Sequence, residues 1–185
     1  MDQKKKPDFD VISVGAGFAG LALVHHLRDV GMTIRVFDRA SDIGGTWSWN
    51  RYPGAMTDSE SYYYCLMFSK ELLQGWKWTQ RYPDWKETLD YMHFVADRCD
   101  MMPHIQLNTE IVAAEYQKDE GIWKGSYKNE RNTNTTANTG KNERAYSTTA
   151  GSAASARHAS LKACAAFEPS SSHPGNRAAN SCRRD

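Results

Sequence analysis

A glycine turn between a strand-like and a helix-like pattern is the feature that most constrains the fold of this chain. Residues 15–20 read GAGFAG, follow the mainly apolar run 9–14, and precede apolar residues at helical spacing. A strand that turns directly into a helix places free backbone N–H groups and the positive end of the helix dipole at one point, which suits a pyrophosphate. We expect Gly15 to make the tight turn, Gly17 to let phosphate approach the backbone, and Gly20 to let helix and strand pack closely.

An acidic residue follows at the end of a second strand-like run. Residues 33–37 are β-branched or apolar apart from one arginine, and they lead into Asp38, 23 positions after Gly15. In a dinucleotide-binding βαβ unit, an acid at this point hydrogen-bonds a ribose diol and disfavours a 2′-phosphate. The order of elements predicts a Rossmann-like α/β fold that binds FAD or NAD rather than NADP here. The alternative is a buried βαβ unit without a nucleotide.

The composition changes near residue 128. From residue 129 to residue 185 the only large apolar residues are Tyr146, Leu161 and Phe167. Such a segment cannot bury enough apolar surface to offset its conformational entropy. We therefore expect an incomplete FAD-binding Rossmann-like domain over residues 1–128 and a disordered, low-complexity tail over residues 129–185. The tail carries 8 basic and 4 acidic residues, and a solvated end is a simpler interpretation than weak contact with nucleic acid or lipid.

Targeting and cysteine patterns point to a reducing compartment. The lysines at 4–6 precede an apolar stretch, but Asp8 and Asp10 interrupt it and no small-residue cleavage site follows, so we expect no export. No apolar stretch approaches the length of a membrane span. The four cysteines are widely separated and form no C-x-x-C pair, which argues against zinc and redox dithiol sites. We expect a cytoplasmic protein without metal, nucleic acid or membrane, and nothing indicates a partner protein.

Two aromatic segments follow the second strand-like run. Residues 41–58 are rich in Gly, Pro, Trp and Tyr and lack a period, so they predict a long ordered loop rather than a helix or strand. Trp47, Trp49 and Tyr52 either line a flat heteroaromatic cofactor or pack in a core beneath the loop. Residues 60–68 suit either a strand or an apolar wall against the cofactor.

The next segments are more regular. Residues 70–83 carry loop signals, and a helix is predicted over residues 84–101, with Pro83 and Asp84 at its start. His93 lies at the edge of its apolar stripe and is interpreted as a packed or exposed helix residue. The buried stripe is predicted to contain Leu89, Met92, Ala96 and Cys99.

The last regular segments are short. Residues 104–108 predict a parallel strand, and residues 110–116 and 122–127 predict a hairpin with a turn at 120–121. The backbone at 109–111 is expected to pass beside the adenine end of a bound dinucleotide.

Specific sequence blocks carry a family resemblance. They are GAGFAG at 15–20, the acid Asp38, GGTWSWNRYPGAMTDSES at 44–61 and RYPDWKETLDYMHFVADR at 81–98. Together they resemble the N-terminal FAD domain of Baeyer–Villiger-type flavin monooxygenases over about residues 9–127. The block at 44–61 is far more specific than the glycine motif.

The resemblance implies roles for individual residues. It places the FAD pyrophosphate at the glycine turn, the adenosine ribose at Asp38, and the nicotinamide beside residues 56–58. Asp58 is the implied catalytic residue, because in this family the carboxylate at this position supports the reaction by pairing with an active-site arginine. The implied cofactor-binding residues are Gly15, Gly17, Phe18, Ala19, Gly20, Asp38, Arg39, Gly45, Thr46, Trp47, Ser48, Trp49, Met56, Thr57, Asp58, Ser59, Tyr64 and Ile111.

The implied activity uses FAD and NADPH. In such enzymes NADPH reduces the flavin, and one oxygen atom of O2 is then inserted next to the carbonyl of a small-molecule ketone. The cofactor carries out the redox chemistry, and the protein positions the cofactor and sets its electrostatic environment.

The sequence also departs from the family pattern. It contains no second G-x-G-x-x-G after a strand, no F-x-G-x-x-x-H-x-x-x-W fingerprint, and no region that supplies the arginine. The biased tail resembles a truncation or a reading-frame change, so we expect this chain alone to be weakly active or inactive. The alternatives are a non-catalytic FAD-binding or interaction module, a damaged gene product, and a simple NAD-binding βαβ protein, in which the GGTW block would have no purpose.

Overall fold

The computed structural model describes residues 7–129, together with the backbone of residues 132–138 and 146–147. A single 3-10 turn, Met102–His104, precedes the third strand. The helices and strands, in chain order, are β1 (Val11–Val14), α1 (Phe18–Asp29), β2 (Ile34–Phe37), α2 (Thr46–Trp49), α3 (Lys70–Gly75), α4 (Trp85–Arg98), β3 (Ile105–Gln106), β4 (Thr109–Gln117), β5 (Ile122–Asn129), β6 (Asn132–Asn138) and β7 (Tyr146–Ser147).

The strands form two sheets. The first is parallel, with the order β3-β2-β1-β7. Because α1 connects β1 to β2 and these strands pair in parallel, the βαβ unit predicted from the glycine turn is confirmed. The second sheet is antiparallel, with the order β4-β5-β6. The predicted hairpin is therefore confirmed, and Gly121 in its turn has a φ of 66°.

The parallel sheet is buried on both faces. Alternate residues of a strand point to opposite faces, and Val11 and Val36 accordingly belong to the large core that also contains residues of α1 and α4. Ile12 and Phe37 belong to a second, smaller cluster. There the Phe37 ring stacks on Tyr127 of β5 at a centroid distance of 5.1 Å. The antiparallel sheet therefore covers the face that α1 and α4 leave open.

The helix α4 forms within the predicted range 84–101, but it ends at Arg98. Asp84 is the N-cap, and its Oδ1 accepts a hydrogen bond of 2.8 Å from the Glu87 N–H. The predicted stripe is buried, and Tyr91 and Val95 extend it. His93 is exposed, with its Nε2 3.1 Å from Asp42 Oδ2.

Three local predictions are wrong. The segment 41–58 contains the one-turn helix α2, and the segment 70–83 contains α3. The Ser69 hydroxyl caps α3 by accepting a hydrogen bond from the Leu72 N–H. Residues 60–68 form turns and bends, so the strand alternative for them is wrong as well.

The predicted disordered tail is described only in part. Residues 132–138 pair antiparallel with β5, and residues 146–147 pair in parallel with β1. Strand pairing thus occurs in two places where the composition predicts no order. The other residues from 130 onward lie outside the described part, and the boundary at 128 stays a prediction.

In the described part of the chain no helix is long and apolar enough to cross a bilayer. The same residues contain no group of three or more His, Cys, Asp or Glu side chains placed to hold a metal ion.

A buried histidine makes the stability of this fold depend on pH. The His25 ring on α1 stacks on Phe68 at 4.1 Å, its Nε2 lies 3.4 Å from Asp29 Oδ2, and its Nδ1 is buried without a hydrogen-bond partner among the described residues. Burial lowers the pKa of His25. The unfolded chain therefore takes up a proton at a higher pH than the folded chain, so stability decreases as the pH falls from the ordinary histidine value towards the lowered one.

We expect His25→Phe to reduce this acid sensitivity, because it keeps an aromatic ring on Phe68 and removes the titrating group. Urea unfolding followed by circular dichroism across that pH window measures the effect. Gln74→Ala, which removes no titrating group from an exposed site on α3, should leave the pH dependence unchanged. An H25F variant that loses stability with acid as steeply as the unchanged protein would contradict the assignment.

Candidate cofactor site

The glycine turn lies between the end of β1 and the start of α1. Gly15 has a φ of 103°, in the region that favours glycine, and its N–H donates to the Phe37 carbonyl at 2.8 Å. Gly17 is the N-cap of α1, and no side chain caps the helix. The first turn also contains no acidic residue. The N-terminal N–H groups of a twelve-residue helix are thus left without a side-chain acceptor, next to the positive end of its dipole.

Gly20 brings helix and strand into close contact. A Cβ atom on Gly20 would lie well inside van der Waals contact with the Gly15 carbonyl oxygen and 3.2 Å from its carbon. Its next neighbour would be Val36 Cγ1 of β2, at 3.6 Å. The position therefore has room for a hydrogen atom and for no larger group.

A second pair of glycines packs against this turn. The Gly44 N–H donates to the Ala16 carbonyl at 2.9 Å. Gly45 has a φ of 53°, and a Cβ on it would lie 2.9 Å from Gly17 Cα. A Cβ on Gly17 would be at an ordinary 3.5 Å from Gly45 Cα. This backbone contact places α2 next to the first turn of α1.

Asp38 connects the glycine turn to the end of β2. Its side chain is buried, with Oδ2 accepting the Ala16 N–H at 2.7 Å and Oδ1 accepting the Ala40 N–H at 2.8 Å. A carboxylate has about four acceptor positions, so each oxygen retains the capacity to accept from a hydroxyl. The Thr109 N–H donates to the Asp38 carbonyl at 2.8 Å, which brings the start of β4 to the same place. These donors and acceptors fit the pyrophosphate and ribose of a dinucleotide.

Three aromatic rings connect α2 to α1. Trp47 is buried, and its Nε1–H donates to the Tyr64 hydroxyl at 2.9 Å. The Phe18 ring packs edge-on against Tyr64 at 4.9 Å. Burial raises the pKa of Tyr64, so its phenol keeps its proton at neutral pH. Trp47 therefore packs in the core, which is one of the two alternatives that the sequence left open.

The outer aromatic residues of the loop have a different environment. Trp49 is 56% exposed and Tyr52 60%. The Arg39 guanidinium lies over the Trp49 ring, 4.9 Å from its centroid. The loop thus has a buried ring beneath it and exposed rings on its outer side.

Known proteins are similar to this chain in sequence and in fold. Residues 14–91 match the family model of the NAD(P)-binding Rossmann-like domain. A Baeyer-Villiger monooxygenase of Pseudooceanicola batsensis is 48% identical over 117 residues, which is 63% of this chain and 22% of that protein. A cyclohexanone monooxygenase from Rhodococcus sp. Phi1, solved with NADP+, is 35% identical with a TM-score of 0.69, covering 77% of this chain and 26% of that one. The chain is homologous to the N-terminal part of Baeyer–Villiger-type flavin monooxygenases.

A further solved relative contains both nucleotides. OTEMO in complex with FAD and NADP is 32% identical, with a TM-score of 0.67 over 73% of this chain and 25% of that one. The chain thus spans about a fifth to a quarter of the length of these relatives.

The sequence block at 44–61 is held by contacts at both of its ends. Its first glycines pack on the glycine turn, and its second half pairs with the segment before α4. There the Trp85 N–H donates to the Ala55 carbonyl and the Thr57 N–H to the Pro83 carbonyl, both at 2.9 Å. The Thr57 hydroxyl donates to the Ser59 carbonyl at 2.8 Å. Backbone hydrogen bonds therefore hold Ala55 and Thr57 in place, and the Thr57 hydroxyl holds Ser59.

The other predicted site residues divide by exposure. Thr46, Met56 and Asp58 are exposed, and Ser48, Ser59, Ala19 and Ile111 are partly buried. Among the described residues no basic side chain forms an ion pair with Asp58. Its Oδ1 accepts from the Ser59 hydroxyl at 3.3 Å. Ile111 packs with Ile12 and Phe37 beneath the sheet.

Sequence reasoning missed two groups at this site. The N–H groups of Ala16 and Ala40 bind the Asp38 carboxylate, and no side-chain pattern reports a backbone donor. The Tyr91 hydroxyl accepts the Leu66 N–H at 2.7 Å and fixes the aromatic segment to α4. Tyr91 lies one helical turn before Val95 on the apolar stripe of α4, and this spacing could have indicated its burial.

Proposed function

We propose that residues 8–127 bind FAD and form the ADP-recognising part of a monooxygenase of the Baeyer–Villiger type. The observation that carries this proposal is the uncapped start of α1, which packs on Gly45 and is joined to Asp38 through the Ala16 N–H. A pyrophosphate needs that cluster of N–H groups, and a ribose diol needs the adjacent carboxylate.

The remaining roles follow from position. The helical turn α2 lies beside the glycine turn, so Thr46 and Ser48 would face the middle of the cofactor. By the family resemblance, residues 56–59 would border the flavin ring and the nicotinamide, and the hydrogen bonds of Ala55 and Thr57 to the segment at 83–85 would hold them there. Asp58 would act there on a basic residue from another part of the enzyme.

The bound flavin would supply the redox chemistry. In the complete reaction of this family NADPH is the reductant, O2 is the source of the inserted oxygen atom, and a small ketone is the substrate. This chain's residues would bind the cofactor, orient it and exclude water from its adenosine half.

We expect the 185-residue chain alone to retain FAD without oxidising NADPH. It contains a single G-x-G-x-x-G motif, and this motif belongs to the proposed FAD site. Loading with FAD and dialysis against FAD-free buffer, followed by an absorption spectrum and an NADPH titration in air, test both statements. A yellow protein with a stable NADPH absorbance is the expected result. Loss of all flavin on dialysis would contradict the binding proposal.

Gly17→Ala should separate binding from folding. The added methyl group has ordinary space in the fold, 3.5 Å from Gly45 Cα, and would stand at the helix start that the proposed phosphate oxygens approach. We expect unfolding free energy to change by at most about 1 kcal/mol, the usual range for an N-cap substitution. FAD affinity should fall about ten- to a hundredfold, because hydrogen bonds to a charged group are each worth about 1.5–3 kcal/mol.

Titration of each chain with FAD, read by flavin fluorescence, measures this difference. Asp90→Ala on the exposed side of α4 is the matched control and should titrate like the unchanged protein. A G17A variant with unchanged affinity would place the pyrophosphate elsewhere.

A further inference from the structure

Two segments of the chain pair into an irregular ribbon with one exposed side. Residues 55–61 are joined to residues 81–85 by the two hydrogen bonds described above and by a third, of 2.7 Å, from the Ser61 N–H to the Arg81 carbonyl. Positions 55, 57 and 61 are buried, whereas other side chains of the ribbon are exposed to solvent. We define the outer face of the ribbon by four of these exposed residues, Met56, Asp58, Tyr62 and Tyr82.

Most of this outer face is apolar. Met56 is 52% exposed, Tyr62 57% and Tyr82 40%. Tyr52, which is also exposed, enters the ribbon through a turn in which its carbonyl accepts the Ala55 N–H at 3.1 Å. Contiguous exposed apolar surface marks sites of association, and tyrosine, methionine and arginine are enriched in protein interfaces.

The charged residues of the ribbon and its entry leave two groups without a charged partner. Glu60 and Arg81 pair with each other, and the Asp84 carboxylate caps α4. Asp58 and Arg51 remain, and neither forms an ion pair with another described residue. Beside the apolar outer face there are thus one carboxylate and one guanidinium, both exposed.

The two charges lie at different points along the ribbon. The Arg51 guanidinium lies at one end, 5.7 Å from the centroid of the Trp85 ring, and its Nε donates to the Ser48 carbonyl at 2.9 Å. Asp58 lies further along the first segment. Because the two charges are opposite in sign, a two-fold rotation can bring Arg51 of each copy to Asp58 of the other. Each pair then occurs twice.

We propose that the outer face binds a second copy of this chain in a two-fold symmetric dimer, with reciprocal ion pairs between Arg51 and Asp58. The apolar side chains of the outer face would pack between these two pairs. The dimer does not depend on bound FAD. The proposed function assigns Asp58 to a basic residue from another part of a complete enzyme, and in a solution of this chain alone the second copy would provide the cation.

The size of the outer face predicts a weak dimer. A fully buried aromatic side chain covers about 150–250 Å², so Met56 and the three tyrosines, each about half exposed, would contribute about 100 Å² each. With the two charged side chains, each copy would bury about 500–600 Å², which is less than the roughly 800 Å² of a standard interface. We therefore expect a dissociation constant in the tens of micromolar, with monomers at low concentration.

Sedimentation equilibrium of the full chain, from low to high micromolar concentration, tests the dimer. Arg51→Glu and Asp58→Arg should each raise the dissociation constant at least about tenfold, because like charges then meet at two places in every dimer. The double variant R51E/D58R exchanges the charges, so its dissociation constant should return to within about threefold of the original value. Arg98→Glu is the matched control and should change nothing, because Arg98 lies over Phe94 at the same 5.7 Å but outside the ribbon, on α4.

Thermal unfolding of each variant shows whether it still folds. If R51E is poorly folded because it loses the contact with Trp85, Met56→Glu tests the same face, and it should weaken the dimer as strongly by placing two like charges near the symmetry axis. A chain that stays monomeric at every concentration would overturn the proposal and leave the face to another partner. A dimer that R51E and M56E do not weaken, or a charge-swapped variant no tighter than the single variants, would overturn it as well. None of these results bears on FAD binding.

Discussion

Gly20→Ala is expected to destabilise the fold by about 3 kcal/mol, at the upper end of the range for overpacked sites. The new methyl group would overlap the Gly15 carbonyl, which is backbone and therefore cannot rotate away. Relief requires that α1 move off β1, and this would loosen the core on the helical face of the sheet. Urea unfolding monitored by circular dichroism at neutral pH measures the loss.

Gly17→Ala provides the matched control, because it adds the same methyl group three residues earlier, where space is available. We expect G17A to unfold close to the unchanged protein and G20A to unfold at much lower urea. Equal midpoints for the two variants would show that helix and strand are not in such close contact.

Asp38→Ala should have the second large effect, and it should impair both folding and binding. The substitution leaves the buried N–H groups of Ala16 and Ala40 without acceptors. An unpaired buried donor costs about 1–3 kcal/mol, so we expect a total loss near 3 kcal/mol. FAD affinity should fall as well, since the ribose hydroxyls lose their acceptor.

Asp90→Ala is the comparison for losing a carboxylate at the surface. Its partner Lys86 is exposed, with Nζ 2.6 Å from Asp90 Oδ2, and such a pair contributes less than about 1 kcal/mol. Asp38→Asn keeps one acceptor oxygen, so its stability should lie between that of D38A and that of D90A. A D38A variant as stable as D90A would mean that water replaces the carboxylate.

The sequence was informative mainly where structure depends on neighbours in the chain. The strand, turn and helix around Gly17 and the cap at Asp84 were predictable, because each follows from local spacing and side-chain chemistry. The helix α3 was missed although its signal is local too: Ser69 precedes it as the N-cap, and an acid lies in its first turn.

Other features depend on distant contacts and were not predictable. The one-turn helix α2 exists because Gly44 and Gly45 pack on the glycine turn, and no propensity of its residues, TWSW, favours it. The strand β6 is made of Asn, Thr and Ala, so its pairing with β5 has no hydrophobic pattern to reveal it. At the candidate site, the presence of an acidic residue at the end of β2 was predictable, but the two backbone amides that bind Asp38 were not.

The two amides on Asp38 restrict how cofactor preference at this position can be changed. To make this site accept a cofactor with a phosphorylated ribose, one would ordinarily replace the acidic residue with a basic one. In this chain that exchange also releases the loop that presents the pyrophosphate donors. A successful redesign would have to supply a neutral acceptor for the Ala16 and Ala40 amides first, so selectivity and local architecture would have to be altered together.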